Sequence, residues 1–300
     1  MERNVVASRI LVTGASGLLG RKLVKLAVEE GHEVFSAYSS HQVDLGKPVK
    51  LDLTQPESVK RAVNESKPEV LIHAGGLTDV DYCEIHKDEA TKVNAEGTAN
   101  LLNASERLKP HCIYVSTDYV FDGQKGNYGE DDQPNPVNHY GYSKLKAEEL
   151  VKEYSGKWCI ARTSVVFGWG REHRPNFATW VLSKLKAGEP VNAVFDQYAS
   201  PTLNTNLAEM LLDVAEANLT GIIHLAGATR INRYDFARSI AGLFDLDEDL
   251  IRATESSSLN WTAKRPADSS LRIQKANETL RHRPLSLNDA LHHFLKVGKQ

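Results

Sequence analysis

Short apolar runs alternate with amphipathic stretches through the first half of the chain. Arg9–Thr13 reads as a strand, Leu18–Glu30 as the helix after it, and His32–Ala37 as a second strand ending near Tyr38. Val49–Leu51 reads as a short third strand, and Thr54-Gln55-Pro56 opens a helix, with proline suited to the first turn. Val70–His73 is a fourth strand, Glu84–Arg107 one or two helices, Cys112–Ser116 a fifth strand and Trp158–Arg162 a sixth. Between the last two, the Gly-, Asn-, Asp- and Pro-rich stretch from Asp122 to His139 reads as a loop leading into a helix that carries Tyr140. This alternation predicts an α/β fold: a doubly wound parallel sheet covered on both faces.

After about residue 165 the pattern loosens. Loops at Gly168–Pro175 and Gln197–Asn204 alternate with helices near Phe177–Ala187, Asn206–Asn218 and Arg233–Phe244. A strand near Gly221–Leu225 is expected to return to the sheet, and the remainder through Ser286–Lys299 to build a smaller lobe. Residues 1–165 are thus expected to bind a dinucleotide, and 166–300 to be mainly a substrate-binding lobe.

The first strand and helix are joined by Gly14-Ala15-Ser16-Gly17-Leu18-Leu19-Gly20. Glycine at the first position permits a tight turn, and at the second it lets backbone N–H groups approach a pyrophosphate. The third lets helix and strand pack closely, while the helix N-terminus directs its positive dipole at phosphate. Gly14, Ser16, Gly17, Leu18, Leu19 and Gly20 are therefore candidate dinucleotide contacts. A glycine turn without a ligand is the competing reading.

Tyr140-Gly141-Tyr142-Ser143-Lys144 follows Val115-Ser116-Thr117-Asp118. Residues four apart share a helix face, so Tyr140 and Lys144 can address one pocket. A phenol ordinarily titrates near pH 10, and a neighbouring ammonium is expected to bring it down toward neutrality. Thr117, at a strand end, can hydrogen-bond a substrate carbonyl. A Y-x-x-x-K pair alone is common on exposed helices. With the threonine and the glycine loop upstream, a hydride-transfer site is the favoured reading.

Composition narrows the classes. A formal net charge of −3 without a long basic run gives nucleic-acid binding little support. No apolar stretch reaches bilayer length and Met1–Ser8 is polar, so neither an anchor nor a signal peptide is expected. Cys83, Cys112 and Cys159 fit reduced thiols in a cytoplasmic protein, and neither they nor the eleven histidines show metal-ligand spacing.

In this order the pieces resemble the extended short-chain dehydrogenase/reductase family, and within it most closely the dTDP-4-dehydrorhamnose reductases. The match runs through His73-Ala74-Gly75-Gly76-Leu77-Thr78-Asp79-Val80-Asp81 and Ser116-Thr117-Asp118-Tyr119-Val120-Phe121-Asp122-Gly123. It continues through Tyr140 to Leu145, Arg162-Thr163-Ser164, Asp196-Gln197 and Pro201-Thr202. The resemblance implies a Rossmann-like fold and reduction of the 4-keto group of a nucleotide-linked deoxy sugar by NADP(H), with NAD(H) as an alternative cofactor. It implies that Tyr140 protonates the developing alkoxide, Lys144 holds the nicotinamide ribose and tunes the phenol, and Thr117 contacts the carbonyl oxygen. Gly17, Leu18 and Leu19 would then lie at the pyrophosphate, Asp52 and Leu53 at the adenine, and Gly75, Gly76 and Thr78 near the adjacent ribose and phosphate. Asp118, Val165, Asn176 and Arg265 join Thr117 on the substrate side, with Arg265 at the diphosphate.

Departures from the family pattern matter too. Val165 stands where these reductases commonly carry tryptophan; Trp169 could substitute or could simply pack. Lys22 occupies the region of a metal-binding glutamate, so a homodimer, if formed, is expected not to be metal-bridged. Asp118-Tyr119 replaces the Asp-Glu pair of related dehydratases, and Cys112 lies inside a strand, unlike an epimerase's catalytic cysteine. At the end of the second strand, Tyr38-Ser39-Ser40-His41 offers hydroxyls and no carboxylate before Asp44, which favours NADPH over NADH, with Arg21 a second phosphate-facing candidate. Two alternatives stay open: a reductase or epimerase acting on another sugar nucleotide, and a cofactor-binding regulatory subunit like the methionine adenosyltransferase β subunit.

Overall fold

The computed structural model describes residues 7–170 and 175–298. Residues 1–6 of the polar start of the chain, the centre of the loop expected at Gly168–Pro175, and residues 299–300 lie outside them. Six strands, β1 (Arg9–Thr13), β2 (Glu33–Tyr38), β3 (Lys47–Lys50), β4 (Val70–His73), β5 (His111–Thr117) and β6 (Trp158–Thr163), form a parallel sheet. The segment Gly221–His224 returns to pair in parallel with β6, as expected. From that edge the order is β6-β5-β4-β1-β2-β3. The order reverses where β1 pairs with both β2 and β4, and such a switch point opens a crevice beyond the strands' carboxyl ends.

Alternation along the strands fills two cores. Ile10 and Val12 face one side, with Leu23, Val24 and Ala27 of α1 (Leu18–Glu29) and Met210 and Leu211 of a helix from the second half of the chain. Leu11 faces the other, with Val59 and Val63 of α2 (Pro56–Ser66) and Leu71, Tyr114 and Ile160 of neighbouring strands. Both faces are buried, which is why these strands read as nearly continuous apolar runs.

The helical stretch expected over Glu84–Arg107 is more broken than its pattern suggests. It begins earlier, at Val80, because the Asp79 side chain accepts from Tyr82 N at 2.9 Å. It then runs as α3 (Val80–Ile85), α4 (Lys87–Thr91), a π-helical turn (Lys92–Glu96) and α5 (Gly97–Ser105). The helix α6 (His139–Lys152) follows the long loop. In the second half come α7 (Phe177–Lys186), α8 (Asn204–Glu216), α9 (Arg233–Leu243), α10 (Gln274–Thr279) and α11 (Leu287–Gly298). While α8 covers the sheet, α7, α9 and α11 enclose their own core around Phe167, Leu182, Phe236 and Phe294. The expected Gln197–Asn204 loop contains two short strands, and Tyr198–Ala199 pairs with Ile231–Asn232 ahead of α9.

Candidate active site

Each glycine of the β1–α1 turn has a separate steric reason. Gly14 has φ +66°, and a Cβ there would meet the Ala74 carbonyl oxygen at 2.7 Å. A Cβ on Gly20 would lie 2.1 Å from the Gly14 carbonyl oxygen, so this glycine lets α1 sit against the turn. Gly17 is the exposed N-cap, and the one atom near a Cβ there would be Gly14 O at 3.2 Å. Its outer side is open. With no acidic residue in the first turn, the positive end of α1 suits an anion, and the turn fits a pyrophosphate. Ser16, Leu18 and Leu19 are half-buried around it, and Leu18 O accepts from Asn204 Nδ2 at 3.2 Å.

Thr117 ends β5, and Tyr140 and Lys144 stand one turn apart on α6. Asn138 caps that helix by accepting from Gly141 N at 2.9 Å. Gly141 allows the approach of helix to strand end, since a Cβ there would lie 2.0 Å from Tyr119 O. The phenol of Tyr140 shares a hydrogen bond with Thr117. Lys144 is buried, donates to Val115 O at 2.8 Å and lies 4.1 Å from the Tyr114 ring centroid.

The electrostatics differ from the expectation that Lys144 lowers the phenol. Burial pushes Tyr140 up from its ordinary value, with the Thr117 hydrogen bond pulling the other way. Lys144 is itself pushed down to about 7 by burial, against the negative charge of Glu148. An ammonium in an apolar wall loses its hydration, so it cannot supply the stabilisation that a solvated cation would. Tyr140 therefore remains a neutral proton donor. Beneath Lys144, Glu148 forms a fully buried pair with Arg162: Oε1 accepts from Nε at 2.9 Å and Oε2 from Nη2 at 2.7 Å, while Ser116 Oγ donates to Oε1 at 2.6 Å.

Three supporting residues escaped the sequence reading. Asn94, in the π-helical turn, accepts from Leu77 N at 2.8 Å and donates to Leu77 O at 3.0 Å and Ser143 Oγ at 2.9 Å. It thereby ties the loop after β4 to α6. His73 bridges Thr13 Oγ1 at 2.6 Å and Thr98 Oγ1 at 3.0 Å, and burial lowers it to about 3, so it is neutral. Arg233, at the start of α9, hydrogen-bonds Tyr119.

The remaining expected residues fall into two groups. Gly75 and Gly76 line the crevice next to Gly14: Gly75 N donates to Thr13 Oγ1 at 3.1 Å, and a Cβ on Gly76 would lie 2.7 Å from Asn94 Oδ1. Thr78 is exposed beyond them, and Ser39 is exposed at the end of β2. Leu53 is half-buried and its carbonyl accepts from Asn100 Nδ2 at 2.9 Å. Asp52 makes a turn of its own, accepting from Thr54 N at 2.9 Å and Thr54 Oγ1 at 2.8 Å.

Several substrate-side candidates have structural partners. Asp118 is buried and accepts from Thr117 Oγ1 at 3.1 Å, Ser164 Oγ at 2.7 Å and Ser269 Oγ at 2.5 Å; burial raises its pKa. It fastens three chain segments. Asn176 caps α7 in a reciprocal box with Thr179 and donates to Gly168 O at 2.7 Å. Arg265 is clasped by Asp81, at 3.0 and 2.8 Å. Val165 sits at φ +42°, a conformation disfavoured for a β-branched residue, just past the end of β6. Trp169 packs: it stacks on Phe294 and donates to Phe294 O at 2.7 Å.

Away from the crevice, ligand atoms of Glu30, His32 and Glu216 lie within 4.8 Å of one another. His32 Nδ1 accepts from Ser8 N at 3.2 Å, which places the ring proton of neutral imidazole on Nε2, the nitrogen facing Glu30. That tautomer opposes metal ligation.

A glycine turn at the sheet's switch point, with a Thr–Tyr–Lys cluster at the end of β5 two strands away, defines a nicotinamide-dependent reductase of the extended short-chain type. The chain belongs to the family described as RmlD substrate binding domain, whose model matches residues 8–299. It is 34% identical over 296 residues to a dTDP-4-dehydrorhamnose reductase of Aggregatibacter actinomycetemcomitans, covering 95% of this chain and 97% of that one. A hypothetical dTDP-4-dehydrorhamnose reductase from Sulfolobus tokodaii superposes with TM-score 0.84 at 39% identity, over 94% of this chain and 98% of its own. The dTDP-4-dehydrorhamnose reductase of Bacillus anthracis in complex with NADP superposes with TM-score 0.87 at 29% identity, over 97% and 100%. Among the described residues no helix is long and apolar enough to cross a membrane.

Proposed function

We propose that this protein uses NADPH to reduce the 4-keto group of a nucleotide-linked deoxy sugar, dTDP-4-dehydrorhamnose, to the dTDP-L-rhamnose level. The observation that carries it is the Thr117–Tyr140–Lys144 cluster at the end of β5, in one sheet with the Gly14–Gly20 turn at the end of β1. NADPH held there would supply hydride to the carbonyl carbon. Gly14, Gly17, Gly75 and Gly76 give its phosphates and riboses room, the N-terminus of α1 supplies positive charge, and Ser39 and Arg21 meet the adenosine end.

Thr117 turns its hydroxyl proton from Asp118 to the substrate carbonyl oxygen and so holds it. As negative charge develops on that oxygen, Tyr140 gives up its proton. Its raised pKa keeps the proton in place until the oxygen is more basic than the phenolate. Lys144 turns its ammonium from Val115 O to the ribose hydroxyls, and Glu148 below it favours the charged form. Arg265, held in place by Asp81, contributes a hydrogen-bond donor rather than a free charge to diphosphate binding. Arg265→Ala should raise the sugar-nucleotide KM and leave cofactor affinity intact; an unchanged KM removes this residue from the substrate site.

Incubation with NADPH and a panel of 4-keto sugar nucleotides tests the assignment. Fastest turnover of the dTDP-linked 6-deoxy sugar is expected. Faster turnover of another sugar nucleotide reassigns the substrate, and tight NADPH binding with no turnover points to a regulatory subunit.

A further inference from the structure

Arg233 is the first residue of α9, just after the pairing of Ile231 with Ala199 and Asn232 with Tyr198. A cation at a helix N-terminus opposes the helix dipole, so the stability of α9 does not account for it. Its guanidinium lies 5.0 Å from the Phe177 ring centroid and hydrogen-bonds the Tyr119 phenol. The Tyr119 ring in turn meets the Tyr140 ring edge-on, with centroids 5.9 Å apart. Arg233 thus reaches from the second half of the chain to the neighbour of the proton donor.

Among the described residues Arg233 forms no ion pair. Two carboxylates lie in the same region and neither bonds to it, although the charge of Asp118 favours the cation. Asp118 accepts from three hydroxyls, and Asp235 accepts from Asn232 Nδ2 at 2.7 Å. Arg265 is close enough to repel Arg233, yet Arg265 is itself neutralised by Asp81 in a two-point contact. Burial destabilises the Arg233 cation further. A half-buried guanidinium with no salt-bridged carboxylate, its burial offset only in part by the charge of Asp118 and the Tyr119 hydrogen bond, is costly for folding alone. A bound polyanion reverses that cost, and the planar guanidinium matches phosphate oxygens two at a time.

We infer that Arg233 binds the diphosphate of a nucleoside diphosphate substrate, serving as the uncommitted cation of the crevice while Arg265 is held by Asp81. This inference rests on the sugar-nucleotide reading above. It adds a substrate-binding residue and names the part of the substrate that it touches. Loss of Arg233 acts on the substrate and spares the dinucleotide, whose phosphates the turn before α1 would hold.

The test is calorimetric titration of dTDP into protein saturated with NADP+, for wild type, Arg233→Ala, Arg233→Gln and Arg233→Lys. Both neutral variants are expected to bind dTDP about 10- to 100-fold more weakly, the range of a charged hydrogen-bonded contact, with the lysine variant between them and wild type. Unchanged NADP+ affinity reports an intact fold, and Arg233→Gln retains polar bulk against Phe177 should alanine perturb packing. Equal dTDP affinity in wild type and either neutral variant that retains NADP+ overturns the inference while leaving the proposed reaction untouched. If wild type holds NADP+ and does not bind dTDP, the sugar-nucleotide reading falls, and the inference with it.

Discussion

Cofactor binding should draw a proton from solution, and Lys144 should be its destination. In the free protein the amine is buried against the Tyr114 ring with Val115 O as its hydrogen-bond partner, and its pKa is pushed down to about 7. At pH 8 only about a tenth of the molecules then carry an ammonium there. Ribose hydroxyls and nearby phosphate charge stabilise the ammonium and return it toward the ordinary lysine range of about 10.4. Binding of NADP+ should therefore take up about 0.9 proton at pH 8, about 0.5 at pH 7 and about 0.1 at pH 6. Calorimetry in two buffers of different ionisation enthalpy measures this uptake directly. Lys144→Met keeps the aliphatic stem and removes the nitrogen, so the uptake at pH 8 should vanish. Buffer-independent heats for wild type at pH 8, or an uptake unchanged in Lys144→Met, would refute the role given to this lysine. Stability has a definite sign as well. Between about pH 7 and 10.5 the unfolded chain holds a proton that the folded chain lacks, so the free protein gains stability as pH rises through that window. Lys144→Met should accordingly raise the urea midpoint of the cofactor-free protein at pH 7.

Other substitutions probe the frame. Arg162→Leu leaves Glu148 buried with Ser116 as its remaining hydrogen-bond partner, and removing one member of a buried pair should cost about 3–5 kcal/mol in urea unfolding; a loss below about 1 kcal/mol contradicts the pair's structural role. Gly20→Ala puts a methyl group 2.1 Å from Gly14 O, so it should distort the turn, cost about 1–3 kcal/mol and weaken NADP+ binding. Unchanged cofactor affinity there would separate the turn from the dinucleotide.

The parts of this protein legible in its sequence are those set by local rules. Ile10, Leu11 and Val12 announce a strand buried on both faces, and Tyr140 and Lys144 share a helix face by spacing alone. Gly14 and Gly20 are written into a turn that no other residue fits. Contacts between distant segments were not legible. Asp118 joins Ser269, which is 151 residues away, and Asp81 clasps Arg265 across 184 residues. Asn94 sits in a π turn that its helical pattern does not reveal, and only its contacts to Leu77 and Ser143 disclose its purpose. Arg233 shows in the sequence only as the start of a helix, and its contact with Tyr119 is disclosed by the fold. The electrostatic expectation for the phenol failed for a related reason: sequence gives the spacing of Tyr140 and Lys144 but not the burial that suppresses the lysine's charge.

The most direct measurement compares steady-state NADPH oxidation by wild type and Tyr140→Phe with dTDP-4-dehydrorhamnose as substrate. The variant lacks only the hydroxyl, so NADPH affinity should persist while kcat falls by about 10²- to 10⁴-fold, the usual contribution of a positioned general acid. Tyr142→Phe, two residues along α6 and exposed, should retain most activity. If wild type turns over the substrate and Tyr140→Phe matches its kcat, proton donation from Tyr140 is wrong.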